Sequence, residues 1–290
     1  MQTAGKLLSG KDQGLVTIPT LVMARSEGPV FLRDAAHALA EVLSHARLLT
    51  QKGRGDFMQQ ENANESNALR RTKVLLACGV ASGPLFYIVA VIQMFTRSGF
   101  DIRHHAISLL SLGNLGWIQI TNFILTGVLA ILCAVGMRWV LHPGRGETWG
   151  PLLIGIYGVG LIVGGIFHPD PGLGFPPGAP AGMPTTMSWH AVLHSIFFYT
   201  AFLALIVDSF VFVRRFLSQG RREWGIYCAA TGVVSPLLIV LGTSITSLAG
   251  VLFAIAGVVA FGWVSVMAAR LFAELSEGGP VGQQVSWATK

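Results

Sequence analysis

Charge is scarce in this chain. Asp, Glu, Lys and Arg make up 12% of its 290 residues, against roughly 25% in ordinary soluble domains, and this shortage excludes a water-soluble globular domain. Cysteine is scarcer still. Cys78, Cys133 and Cys228 are the only three, and their spacing excludes both a disulfide framework and a CxxC metal site. Each falls in an apolar stretch, where a small thiol packs readily. Residues 1–57 also lack a continuous apolar run followed by a small-residue cleavage site. No cleavable leader is therefore expected, and the first apolar stretch should act as its own anchor. No internal repeat links the two halves, which counts against an inverted-repeat transporter.

What the chain does have is apolar length. Hydrophobic residues reach 52% and the mean hydropathy is +0.60. A bilayer core about 30 Å thick takes about 20 apolar residues per helix, and six stretches qualify: 74–96, 116–141, 149–167, 188–213, 223–242 and 245–271. The expectation is an all-α polytopic membrane bundle of six transmembrane helices. Thr243 and Ser244 are the only connector between the last two, and Ser235-Pro236 predicts a kink in the fifth. Small residues let membrane helices approach closely. The third span carries Gly155, Gly158, Gly160, Gly164 and Gly165, including a GxxxG pair, and should be central. The sixth repeats the theme with Gly250, Ala254, Gly257 and Gly262.

Short loops rich in Lys and Arg stay cytoplasmic. Ten basic residues precede the first span, and Arg138, Arg145, Arg214, Arg215, Arg221, Arg222, Arg270 and Lys290 follow on the same side, leaving only Arg97 and Arg103 opposite. Both termini are expected in the cytoplasm, with the first, third and fifth connections outside. The net charge of +6 and pI of 9.6 then describe membrane orientation and contact with anionic lipid, not nucleic acid. Three regions follow. Residues 1–73 form a basic cytoplasmic tail, residues 74–272 the membrane domain and residues 273–290 a second tail. Within the first, 31–49 has helical periodicity, with Leu32, Ala35, Leu39, Val42, Leu43, Ala46 and Leu49 on one face as in an interfacial helix. A translation start at Met58 is an alternative expectation for this region.

Chemistry is expected outside. The first connection places Asp101, Arg103, His104, His105, Ser108 and Ser111 beside a short interfacial or re-entrant helix, and Trp117 marks the headgroup level. The third, from Phe167 to Pro184, holds His168, Asp170 and six of the thirteen prolines. It should be a stiff lid, because proline fixes its own φ and restricts its predecessor. The fourth span opens with His190 and His194, one turn apart on one helix face. That spacing suits metal ligation, with His168, Asp170, His104 or His105 completing a set. It equally suits a hydrogen-bonded or pH-sensing cluster, or contact with a headgroup. Ala191 stands where a metalloprotease helix needs Glu, and no strand-turn-helix elbow surrounds Ser108 or Ser111. Asp208 is expected to pair with Arg214, Arg215 or Arg138. A proton path from it toward His194 would need further polar groups, for which Thr200 and Ser209 are candidates.

The stretch from His105 through Ser108 and Ser111 to Gly113, followed by Gly116-Trp117-Ile-Gln119 and the run Asn122 to Gly127, resembles the opening signature of the bacterial membrane family called domain of unknown function 998. Phe167-His168-Pro169-Asp170-Pro171 and the later His190 and His194 are similar to its second and third signatures. The resemblance covers about 75–271 and implies a bacterial inner-membrane protein of six to seven spans with no established activity. The chain departs from the expected pattern at 243–247, where no basic residue stands. The histidine pair is also similar to that of integral-membrane metal-dependent lipid hydrolases. That likeness implies zinc on His168, His190 and His194, and Asp170 or Asp101 handling the water. The leading functional expectation is binding or sensing of a lipid or small amphiphile at the outer His/Asp site. A metal-dependent hydrolase of outer-leaflet lipid is the alternative, and a proton-coupled transporter the third.

Overall fold

The computed structural model describes residues 20–25, 30–42, 46–51 and 54–277, and the chain divides into two compact units, Met1–Ser66 and Asn67–Lys290. In the first unit, β1 (Thr20–Arg25) and β2 (Ala46–Gln51) pair in parallel, with Thr20 opposite Ala46 and Arg25 opposite Gln51. Parallel strands need a crossover, and α1 (Val30–Val42) supplies it. This corrects the helix expected over 31–49. The helix stops at Val42, and the second half of the periodic stretch is β2, because a partner strand offers its backbone a ladder that outweighs local helical periodicity. Leu43 lies outside the described residues, as do 1–19 and 278–290.

The second unit is helical. It comprises the part of α2 (Arg54–Thr96) from Asn67 onward, then α3 (Gly116–Leu141), α4 (Trp149–Ile166), α5 (Trp189–Ser218), α6 (Arg222–Ser244) and α7 (Ala249–Ser276). Among the described residues six helices are long and apolar enough to cross a bilayer. Their outward surface carries large apolar side chains such as Phe95 (87% exposed), Ile226 (68%) and Leu203 (60%). Such a belt has no account in water and an immediate one in lipid.

Helix ends differ from the hydropathy limits for local reasons. Thr243 and Ser244 do not leave the helix. Their hydroxyls donate back to Val240 O at 2.8 and 2.9 Å, so α6 ends two residues later than 242 suggested and the reversal falls on Ile245 and a 3₁₀ turn, Thr246–Leu248. α6 runs through Pro236 as one helix.

From α3 to α7 each helix packs on the next. α2 contacts both α3 and α7. A methyl on Gly79 would overlap the Cys133 thiol and come within 2.8 Å of Ala268 Cβ, and one on Gly83 would lie 2.7 Å from Ser265 Oγ. At that contact Ser265 Oγ accepts from Gly83 N–H at 3.2 Å and donates to Gly79 O at 3.1 Å. Those are the two groups that an unbroken α-helix pairs with each other. A hydroxyl of α7 thus sits in the ladder of α2, one residue before Pro84. Toward the bundle centre, Phe261 meets Phe86 at 5.2 Å, Tyr157 at 5.0 Å and Phe202 at 5.9 Å between ring centroids.

Gly79→Val is expected to lower the unfolding free energy in mixed micelles by about 1–3 kcal/mol through overpacking, and Ser265→Ala by about 1 kcal/mol through the unpaired backbone groups it leaves. Gly155→Ala, whose methyl meets nothing within 4 Å, is the matched control. Equal stability of all three variants would remove the α2–α7 contact from the account of the fold.

Candidate functional site

Two long connections meet at one end of the bundle. Arg97, just past α2, donates through Nη1 to Leu110 O at 3.0 Å and through Nη2 to Leu112 O, and its guanidinium lies 5.4 Å from the centre of the Phe175 ring. It thereby fastens the 3₁₀ turn Ile107–Ser111 under the α2–α3 connection. Ser111, 5% exposed, spends its hydroxyl on Ser108 O at 2.7 Å. Desolvation lowers the Arg97 pKa, yet a guanidinium stays charged.

His105 joins this connection to the next. Its Nδ1 accepts from Asp101 N–H at 2.9 Å, so Nε2 carries the proton and donates to Leu173 O, also at 2.9 Å. The ring is 3% exposed between Phe100 and Phe175, each 5.4 Å away. The proline-rich segment is itself folded. Leu173 N–H reaches Gly182 O at 3.0 Å, Gly174 N–H reaches Pro180 O at 2.8 Å, and Gly174 and Gly178 take φ of +79° and +94° that only glycine adopts easily. Together the two connections make a cap.

Asp101, Arg103 and His104 lie on the surface of this cap and do not join the other histidines. Asp101 holds Arg103 in a two-oxygen pair, with side chains 34% and 67% exposed. The pair holds the Asp101 carboxyl well below the usual range, chiefly through the Arg103 side-chain hydrogen bond, and raises Arg103. Solvent screening leaves such a pair little energetic weight.

His168, Asp170 and His190 do come together. The His168 and His190 rings stack at 5.7 Å and 20°, Trp189 covers His190 at 3.6 Å, and His190 Nδ1 is buried without a partner. Asp170 Oδ2 accepts from Ser188 N–H at 2.7 Å, while Ser188 Oγ caps α5 by accepting from Ala191 N–H at 3.2 Å. Asp170 is held below the ordinary carboxylate range by its hydrogen bonds to Ser188, with His168 and His190 adding smaller effects. His194, one turn into α5, faces α4. Its Nδ1 lies 2.8 Å from Phe167 O and 3.0 Å from Gly164 O. Both are acceptors, so Nδ1 carries the proton and Nε2 of the neutral ring is an acceptor. That hydrogen bond orients the ring and leaves Nε2 as the free nitrogen. Among the described residues no three of His, Cys, Asp and Glu are grouped to hold an ion.

Beneath the cap lies a cavity of about 70 Å³, partly open to the surroundings, walled by α2, α3, α4, α5 and α7 and roofed by Ala106, Ile107 and Ser108. Only Tyr87, Ser108 and His194 bring polar side chains to it; Phe86, Phe123, Phe198, Phe202, Phe253 and Phe261 supply the walls. Gly160 and Gly164 on α4 and Gly257 on α7 leave the room. The sequence reading found His194 and Ser108 but not the aromatic walls, whose recurrence at one-turn spacing from Phe198 to Phe202 was the available signal. It also missed a buried amide cluster, in which Gln93 Nε2 donates to Gln119 Oε1 at 2.7 Å and Asn122 Nδ2 to Phe86 O at 3.0 Å. Gln119, Asn122 and Thr126 sit three, then four residues apart, a single α3 face.

Six apolar helices with lipid-suited outer surfaces and a polar-capped internal cavity define a multi-pass membrane protein. A family model described as protein of unknown function (DUF998) matches residues 80–270, and the chain belongs to that family. No curated protein matches the chain, and no solved structure does.

The Asp170 carboxylate bears on pH behaviour. Its native pKa lies below the unfolded value, so its contribution is full above the ordinary aspartate range and is lost as pH falls through the native value. Amide exchange at Ser188–Ala191, corrected for intrinsic rate, is expected to be faster near pH 3 than near pH 6, and Asp170→Asn to remove the difference. An unchanged difference in the variant would assign it to another group.

Proposed function

We propose that this is a bacterial inner-membrane protein that binds a lipid or small amphiphile in the cavity beneath the cap. The cavity carries the reading, with six aromatic walls for an apolar chain and its polar side chains, Ser108 and His194 among them, for a headgroup. Binding sites for small molecules have this composition, largely apolar with a few converging polar groups. The tautomer adds a requirement. A neutral His194 offers Nε2 as an acceptor, so a headgroup bonded there is a donor, such as a hydroxyl, an amine or a protonated acid. The cap end faces away from the cytoplasm in this reading, because the lysine and arginine excess lies at the opposite end. His168, Asp170 and His190 then lie at the cap's edge, beside the route a headgroup takes from the outer leaflet, and Asp101, Arg103 and His104 serve the cap surface.

A photoactivatable long-chain alcohol, added to the full chain in detergent, tests this. Adducts are expected on α5 between 194 and 202 and on α7 between 253 and 261. Ala254→Trp, which fills the cavity, is expected to cut them at least about tenfold, equivalent to about 1.4 kcal/mol. Labelling confined to the lipid-facing surface and indifferent to Ala254→Trp would overturn the proposal.

A further inference from the structure

Asp208 is 0% exposed in the half of α5 remote from the cap, and neither of its carboxyl oxygens has a hydrogen-bond partner. The pairing expected for it is not made. Arg215 lies two turns further on α5, but its Nη1 donates to Arg145 O at 2.8 Å. Arg138 Nη1 reaches Glu147 O at 3.3 Å. Each guanidinium has found a carbonyl at the helix ends, where charge stays near water, instead of following the carboxyl inward. Thr200 and Ser209 do not serve it either, since their hydroxyls return to Ile196 O and Ile206 O on the same helix.

The surroundings of Asp208 are small and apolar. A methyl on Gly150 of α4 would lie 3.6 Å from Oδ1 and 3.2 Å from Phe212. The titratable groups that bear on it electrostatically are the thiols of Cys133 on α3 and Cys228 on α6. On α7 the charged side chains are Arg270 and Glu274, 3.1 Å apart, with Glu274 also paired to Arg221. The titratable group of α4 is Tyr157, whose hydroxyl is buried and unpartnered. Thr126 Oγ1 on α3 and Ser235 Oγ on α6 are unpartnered too. Four adjacent helices thus each contribute a buried polar atom with a bonding capacity unused.

We propose that Asp208 is a proton-binding site of the bundle, its carboxyl alternating between a protonated state in the packing described and an ionised state reached when water or a cation gains access. An ionised carboxylate with no donor or counter-charge in apolar packing is costly, whereas a carboxylic acid there lacks only hydrogen bonds. A hard metal cation is the less suitable occupant, because it takes a cage of oxygens and the neighbours here offer thiols, aromatic rings and glycine. This site is separate from the cavity beneath the cap and does not depend on what binds there.

Dicyclohexylcarbodiimide, which partitions into membranes and adds to protonated carboxyls, provides the test on the full chain in proteoliposomes. Mass spectrometry of the α5 peptide across a pH series is expected to show an adduct at Asp208 at low pH that declines about tenfold per unit once the carboxyl ionises. Asp208→Asn is expected to lack it. The decisive readout is on the unaltered protein, so a variant that fails to fold does not blunt the test. No adduct at any pH, or an adduct constant across the range, would overturn proton exchange. Protection by sodium at fixed pH would replace the proton with a cation.

Discussion

The bundle depends on the meeting of its first and last long helices at Gly79, Gly83 and Ser265. In lipid, helices gain nothing by hiding apolar surface from one another, since the solvent is as apolar as they are. Association must come from close packing and from polar contacts that the lipid cannot replace. At α2 and α7 both are present. Two glycines on one helix admit the other's backbone and side chains, and a hydroxyl from the second helix satisfies one carbonyl and one amide of the first. Consecutive packing from α3 to α7 follows chain order, through short connections at α3–α4, α5–α6 and α6–α7 and the folded loop between α4 and α5. The placement of α2 against both α3 and α7 does not, and it is what closes the bundle.

That closure also fixes where the bundle is open. Gly83 and Tyr87 are one turn apart on α2, as are Phe261 and Ser265 on α7. At Gly83 the two helices touch, with Phe261 O among the contacts; toward Tyr87 the space between them opens into the cavity that the Tyr87 and Phe261 rings line. The Tyr87 hydroxyl, donating to Ala254 O at 3.2 Å, holds the widened region at a fixed separation. The cap then seals the far side by hydrogen bonds that run from side chain to backbone across two connections. Arg97 and His105 make most of them. A loop fastened in this way is part of the framework, although its sequence, rich in proline and glycine, reads as a spacer.

Apolar length made six spans legible, and the α3 limits of 116 and 141 coincide with the helix because Gly116 follows a glycine turn at Gly113 and Pro143 follows Leu141. The limits at 242 and 74 were less legible in different ways. Hydropathy ignores that Thr243 and Ser244 can bond to their own helix, and it cannot see that α2 continues through polar residues on its N-terminal side. The family followed from three ordered motifs and holds over 80–270. The site was legible only in part. His194 and Ser108 could be named from sequence, but the pairing of His105 with Leu173 depends on the folding of a loop 68 residues away, which no local pattern encodes. The same limit misled the reading of Asp208, for which nearness in sequence to Arg214 and Arg215 implied a pairing that burial makes unfavourable.

The polar groups of the bundle fall into two populations, and the distinction separates architecture from chemistry. At Ser265, Arg97 and His105 each polar atom is matched, and substitution there acts through the fold. Around Asp208, and at Thr126, Tyr157, Ser235 and His190 Nδ1, buried atoms are left without partners. In a medium that offers no replacement, an unmatched polar atom is destabilising, and a structure tolerates it only when something outside the polypeptide completes it: water, a proton or a ligand. The surface pair of Asp101 and Arg103, though the most conspicuous charges in the cap, is complete by itself and asks for nothing. Chemistry is therefore better sought in the interior, at His194 above and at Asp208 below, than among the exposed charges that the sequence displays most openly.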